Sequence, residues 1–279
     1  MASPNELLLN AAKSGEANAL SLALQAGADI EAKDLGGRTA AILASDGGHV
    51  NCLSLMIEAG ADIEAKDFGG WTALMAAGNC GHLDCVSLLL NEGADIEAKN
   101  WDGWTAWMLT ARFCHVDCLS LFVNAGADLE ATDSNGWIAL RWAASQGYAD
   151  CLSMLITAGA ELNSTDLSAW TATMWATIFG KADCLSLLIK AGADIDAKDL
   201  NGWTASMHAI RCGRFDCLSI LVGAGADLDV KNTQGETALM LAEKYRFTKY
   251  WRMIESEIER RSLMAEIANG SIARPQLRV

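Results

Sequence analysis

Positive charge is scarce in this sequence. Its 279 residues carry 21 lysines and arginines against 35 aspartates and glutamates, a formal net charge of −14. Sequence-independent binding to nucleic acid depends on cationic side chains neutralising phosphates, so this balance argues against that function class. An anionic membrane surface is disfavoured for the same reason. No uninterrupted apolar run reaches eighteen residues, and no membrane insertion is expected. The start, MASPNELLLN, has neither the basic residues nor the long apolar stretch of a secretory signal, so the expected location is intracellular and cytoplasmic. A disulfide framework is missing too: nine cysteines are an odd number, at spacings unlike those of a compact secreted scaffold. Free thiols in a reducing compartment are the simpler reading. What the chain has in quantity is apolar surface, with 51% hydrophobic residues, enough for an extensive core.

That apolar content is periodic. GADIEAKD at Gly27 and Gly60 returns as GADIEAKN at Gly93, GADLEATD at Gly126, GAELNSTD at Gly159, GADIDAKD at Gly192 and GADLDVKN at Gly225, each step being 33 residues. A second phrase keeps the register: NCLSLMI from Asn51, then DCVSLLL from Asp84, DCLSLFV from Asp117, DCLSMLI from Asp150, DCLSLLI from Asp183 and DCLSILV from Asp216. Each unit reads as turn, helix, turn, helix. Asp34 to Gly37, Asp67 to Gly70, Asp133 to Gly136 and Asp199 to Gly202 have the composition of tight turns. Thr39, Thr72, Thr105, Thr171, Thr204 and Thr237 follow as expected N-caps, with Ile138 the exception. The first helix is short and rich in alanine; the second carries the CLSLLI face and ends at a glycine.

With these phrases the chain resembles the ankyrin-repeat family, whose unit of about 33 residues joins a β-turn to two antiparallel helices. The resemblance runs from about Ala2 to Ile258 and rests on GxTAL, GH and LLLxxGADIxAKD. It implies an all-α solenoid of stacked helix-turn-helix units with β-turn or hairpin-like loops along one edge. The expected organisation is an N-terminal capping helix pair over 1–33 and six full repeats over 34–231. A C-terminal capping repeat with an extended helix over 232–269 and a flexible tail over 270–279 complete it. One departure recurs, with TAAI at Thr39 and IALR at Ile138 as its two variants without methionine. The family's Thr-Pro-Leu-His becomes TALM, TAWM, TATM or TASM, putting Met75, Met108, Met174, Met207 and Met240 where histidine would make a polar network.

The register separates the three tryptophans of WDGWTAWML. Trp101 falls in the turn, Trp104 just after the turn glycine, and Trp107 inside the first helix, where core packing is expected, as for Trp142 and Trp175. Trp104 belongs to a series with Trp71, Trp137, Trp170 and Trp203, flanked in register by Arg38 and Glu236. The resemblance implies that this place lies on the concave, partner-facing side. The candidate partner-binding set is therefore these five tryptophans with Phe68, Trp101, Arg112, Phe113, Arg141, Phe179 and Arg211, the last seven taken from places the family varies. The seven GADIEAKD-like phrases hold nearly all of the net acidity. Acid beside indole fits a basic segment of a protein partner. The competing readings are a ladder that only packs, with acids that only keep the edge solvated, a structural subunit of a large assembly, or an aromatic cage for a small cationic or methyl-lysine ligand near Trp101 and Trp104.

Catalysis finds no foothold in the sequence. His49 with Cys52, His82 with Cys85 and His115 with Cys118 form a repeated His-x-x-Cys pair that resembles half a zinc site. Packed helices are roughly 8–10 Å apart, too far for pairs in adjacent repeats to converge on one ion with bonds of about 2.0–2.3 Å. The same spacing excludes disulfides along Cys52, Cys85, Cys118, Cys151, Cys184 and Cys217. Cys80, Cys114 and Cys212 lie off that row, and His208 stands alone in a first helix. No nucleophile triad, phosphate-cradling loop or paired-carboxylate signature emerges, so no metal, no cofactor and no enzymatic activity are expected.

Overall fold

Threonine opens the first helix of most repeats. The side-chain oxygens of Thr39, Thr72, Thr105, Thr171 and Thr237 accept the N–H groups of Ile42, Met75, Met108, Met174 and Met240 at 3.3–3.4 Å, satisfying one of the orphan donors at each helix start. Thr204 departs from the expectation: its backbone is equally extended, yet its hydroxyl makes no capping bond, and nothing in the surroundings explains the difference. Ile138 has no oxygen to offer, and the N–H of Arg141 turns to the Ile138 carbonyl at 3.2 Å instead.

The computed structural model describes residues 2–269, so the tail expected over 270–279 lies outside the described residues. Sixteen helices occur among them. In chain order they are α1 (Pro4–Ser14), α2 (Ala17–Gln25), α3 (Ala40–Asp46), α4 (Val50–Glu58), α5 (Ala73–Cys80), α6 (Leu83–Asn91), α7 (Ala106–Phe113) and α8 (Val116–Asn124). There follow α9 (Ala139–Gln146), α10 (Ala149–Thr157), α11 (Ala172–Ile178), α12 (Ala182–Lys190), α13 (Ala205–Arg211), α14 (Phe215–Gly223), α15 (Ala238–Lys244) and α16 (Thr248–Ala268). The described residues contain no strand, only an isolated bridge between Lys33 and Thr39.

The helices form two compact units, one from residues up to 143 with 148–161, the other from 144–147 and 162 onward. In the first unit α1, α3, α5 and α7 make one row and α2, α4, α6, α8 and α10 a second. In the second unit α11, α13 and α15 make one row and α12, α14 and α16 the other. Within the second-row helices the buried side chains recur at i, i+1 and i+4: Cys52, Leu53 and Met56; Cys85, Val86 and Leu89; Cys118, Leu119 and Phe122. Removing a large apolar side chain from such a row costs about 2–5 kcal/mol.

Three hydrogen-bond ladders fix the stacking of successive repeats. Glu31 Oε1 accepts the N–H of Asp62, Glu64 that of Asp95, Glu97 that of Asp128 and Glu130 that of Glu161, all at 2.8 Å. Asn163 and Asp196 do the same for Asp194 and Asp227 in the second unit, at 2.8 and 2.9 Å. Lys33, Lys66 and Lys99 donate to the carbonyls of Lys66, Lys99 and Thr132 at 2.9–3.1 Å. His49, His82 and His115 place Nε2 at 3.0–3.2 Å from the carbonyls of Lys13, Asp46 and Asn79. A carbonyl only accepts, so each Nε2 carries the proton. The acidic phrase therefore has a structural task beyond solubility.

Candidate functional site

Every turn that bears a series tryptophan is built by its first residue. Oδ1 of Asp34, Asp67, Asn100, Asp133, Asp166, Asp199 and Asn232 accepts two backbone N–H groups, two and four residues on, at 2.8–3.0 Å. The second N–H is that of Trp71, Trp104, Trp137, Trp170 or Trp203 in the five tryptophan repeats, so each indole leaves the backbone from the same position. Asp and Asn both serve because only one side-chain oxygen is needed. In the aspartates the second oxygen, Oδ2, is left for something else.

Rings on the first helix fill the space beside these indoles. In the first unit Trp142 lies 4.4 Å from Trp137 and 5.0 Å from Trp104, centroid to centroid, so it bridges two repeats. The Arg112 guanidinium sits 5.0 Å from both Trp104 and Trp142. In the second unit Trp175 lies 4.8 Å from Trp170 and stacks on Phe179 at 5.8 Å. Its Nε1–H donates to Asp166 Oδ2 at 2.9 Å. One repeat further on His208 takes the same place, 5.4 Å from Trp203 and 4.4 Å from Trp170, with Nε2 3.0 Å from Asp199 Oδ2. Arg211 covers Trp203 at 4.9 Å. Cation–π contacts of this kind already occupy part of the tryptophan-bearing surface from within the chain.

Trp104 is only 8% exposed and belongs to the core, whereas Trp71, Trp137, Trp170 and Trp203 are half-buried. Arg141 is not on the open surface expected of it. It stands in the register place of Met75, Met108, Met174 and Met207, all buried, and it is 1% exposed with its guanidinium donating to the Gly136 carbonyl. The tip residues are open: Phe68 is 72% and Trp101 67% exposed, with Leu35, Leu167 and Leu200 at the equivalent places. Trp101 does not make a cage with Trp104. Its Nε1 donates to the Phe68 carbonyl at 2.9 Å, its ring lies against Gly70, and Lys66 Nζ stands 5.4 Å over it. A Cβ on Gly70 would come within 2.9 Å of that ring, which together with a φ of +80° requires glycine. Phe113 and Phe179 are exposed at helix ends, and Arg211 is exposed.

Trp71 has a different environment. A slot of about 220 Å³ opens beside it, with Asp67, Asp46, Arg38, Ala76 and Asn79 in its wall. Arg38 is held to Asp34 by Nε at 2.9 Å and Nη2 at 2.8 Å, and lies 3.8 Å from Asp46. Sequence reasoning named Trp71 but missed Asp46, Ala76 and Asn79. The signal was available in the register, since Ala76 stands where Trp142, Trp175 and His208 carry rings.

Burial pushes the thiols of Cys85, Cys118 and Cys217 up to about 11 and Cys151 higher still, with Cys114 adding to the last shift. Thiols so raised are poor nucleophiles at neutral pH. Among the described residues no group of three or more His, Cys, Asp or Glu is arranged to hold a metal, and no helix is long and apolar enough to cross a membrane.

A family model of ankyrin repeats matches the sequence in three copies, over residues 8–100, 97–166 and 173–257. The chain belongs to the ankyrin-repeat family. It is thereby a protein–protein interaction module with the all-α repeat solenoid fold, in a family whose members are generally non-catalytic scaffolds. No curated protein matches the sequence.

Proposed function

We propose that this ankyrin-repeat chain is a non-catalytic adaptor that binds a basic segment of a protein partner on its tryptophan-bearing turns. The observation that carries this reading is the pairing of guanidinium with indole inside the chain itself, Arg112 against Trp104 and Trp142, and Arg211 against Trp203. A surface whose indoles take arginine in cis has the chemistry to take arginine in trans. The half-buried rings of Trp71, Trp137 and Trp170 supply apolar area, and the neighbouring turn acids supply the attraction. Phe68 and Trp101 extend the apolar surface at the turn tips. Because the repeats are ordered by their own ladders, little ordering entropy is lost on association.

The test compares wild type with a Trp71→Ala/Trp170→Ala variant on an array of random peptides, after circular dichroism has shown equal helicity. Wild type is expected to retain peptides rich in arginine and lysine, at an affinity that falls with added salt, and the variant to lose them. Equal retention by both proteins, or selection of acidic peptides, overturns the reading.

A second reading, a subunit of a larger assembly, is favoured by the outer face of α1 and α2. Leu7 and Leu22 are exposed there and line, with Ala19, Ala23 and Ala26, an apolar groove of about 470 Å³. Apolar area left open in this way marks association surfaces. Sedimentation of wild type against Leu22→Glu distinguishes the readings, since a self-assembling subunit sediments as an oligomer that the charge dissolves.

A further inference from the structure

The second unit shows how a repeat of this chain completes its turn. Asp166 and Trp170 enclose the Trp175 ring, whose N–H donates to Asp166 Oδ2 at 2.9 Å. Asp199 and Trp203 enclose the His208 ring, whose Nε2 lies 3.0 Å from Asp199 Oδ2. Each is a socket of three parts: a carboxylate at the turn, an indole four residues on, and a planar N–H donor nine residues on. The donor packs at a tilt against the indole and fills the free oxygen of the carboxylate.

The Asp67 repeat has the first two parts without the third. Asp67 Oδ1 accepts the N–H groups of Gly69 and Trp71 at 2.8 Å, as in its counterparts, and Trp71 stands in its proper place. Nine residues beyond Asp67 the chain has Ala76, whose methyl group neither donates a hydrogen bond nor reaches the indole. The following repeat offers no substitute, because Leu109 stands where Trp142 reaches back to Trp104. The result is the 220 Å³ slot, room for roughly seven waters at about 30 Å³ each. Two carboxylates line it, Asp46 and Asp67, against one cation. That cation, Arg38, is held in the wall by Asp34 rather than over the ring.

We propose that this slot accepts an arginine side chain of the partner, which stacks on Trp71 and donates to Asp67 in the place that Trp175 and His208 take in their own repeats. The proposal rests on the reading of the tryptophan-bearing turns as the partner surface and assigns that surface its anchoring residue. Arginine fits better than lysine. The occupants in cis are planar N–H donors, and a guanidinium is planar, permanently charged and able to stack and donate at once, whereas an ammonium is a compact, strongly hydrated point charge. The guanidinium groups of Arg112 and Arg211 already take such positions on other indoles of the chain.

The experiment follows the indole N–H of Trp71 by two-dimensional NMR, assigned with Trp71→Phe, during titration with N-acetyl-arginine methylamide. The lysine analogue and the uncharged citrulline analogue serve as controls. A saturable shift is expected with the arginine probe, at least fivefold weaker binding with lysine and none with citrulline. Ala76→His places in this repeat the ring that closes the Asp199 socket, and is expected to weaken the arginine probe at least tenfold. Asp67→Asn keeps the turn, as Asn100 and Asn232 do in theirs, and removes the charge; a loss of at least tenfold is expected here too. No saturable shift in wild type, or equal binding by wild type and Asp67→Asn, overturns the slot. Failure of the slot is separable from failure of the surface. Peptides that depend on Trp170 but bind Ala76→His and Asp67→Asn undiminished leave the surface reading standing and remove the slot.

Discussion

His208 and Asp199 meet inside the second unit with Nε2 3.0 Å from Oδ2, both side chains almost wholly excluded from solvent. The imidazole is held neutral. Burial and the nearby Arg211 charge push its pKa below the usual value, against the pull of Asp199, and Nδ1 is buried without an acceptor, so a second ring proton would have nowhere to go. A depressed folded pKa means that the unfolded chain binds the proton first. Stability from this site is complete above about pH 6.5 and declines as the pH falls below that value, until the lower folded pKa is passed. Urea unfolding at pH 7.5 and 5.5 is expected to show a larger acid loss for wild type than for His208→Gln, which does not titrate. An NMR titration of His208 with a midpoint at or above 6.5 contradicts this.

Three residues sit where the fold asks for glycine, among them Arg246, with φ +58° at the place of Gly180 and Gly213. Cys114 has φ +56° at the place of Gly15, Gly48 and Gly81, and Ala169 has φ +60° at the place of Gly37, Gly70 and Gly103. A side chain in the left-handed region costs roughly 1–2 kcal/mol, part of which is offset because glycine loses more freedom on folding. Cys114→Gly and Ala169→Gly are each expected to stabilise by about 0.5–1 kcal/mol in urea unfolding. A loss of stability in either shows that the side chain's own contacts outweigh the strain.

The repeats and the threonine caps were legible because they depend on local chemistry that recurs at one spacing. Arg141 shows what spacing conceals. Its register place was readable as the buried methionine row, but a charged residue in the sequence invites a surface assignment until the Gly136 carbonyl that receives it is seen. The acid ladder was visible as charge and not as bonding, since Glu31 and Asp62 are brought together only by stacking. The slot beside Trp71 is a vacancy, and alanine at position 76 acquires meaning only after His208 and Trp175 show what can stand there.

The middle of α16 is fastened by one glutamate. Glu257 accepts from Arg260 and Arg261 at 2.7–2.8 Å, and Arg261 also donates to the carbonyls of Ala226 and Val222 at 2.8 and 3.2 Å. The hydrogen bonds and charges of the two arginines hold the Glu257 pKa at about 2. Its contribution is present above the ordinary glutamate pKa near 4.5 and is lost as the pH falls toward 2. Arg260 is largely exposed and touches only Glu257 among these groups, so solvent screening leaves Arg260→Ala the milder of the two changes. Arg261→Ala is expected to cost about 1–2 kcal/mol, because two carbonyls lose their donor as well. Hydrogen exchange along α16 checks the ranking, which equal protection in the two variants overturns.

The acid ladder allows bonding and charge to be separated. Glu31, Glu64, Glu97 and Glu130 each use Oε1 to accept one N–H of the next repeat, and a glutamine can offer the same oxygen. Asn163 shows that an amide suffices, holding the N–H of Asp194 at 2.8 Å. The quadruple Glu→Gln variant is therefore expected to unfold within about 1 kcal/mol of wild type, while each Glu→Ala change costs about 0.5–1 kcal/mol in bonds at this exposed edge. Glutamine variants as unstable as the alanine ones would place the contribution in the charge. With the fold preserved, the glutamine variant also measures what the acids do for a partner. A drop in association rate with basic peptides, larger at low salt than at high, is expected if the row attracts the partner from a distance. An unchanged rate would leave the four glutamates as stacking residues and the attraction to the aspartates around Trp71.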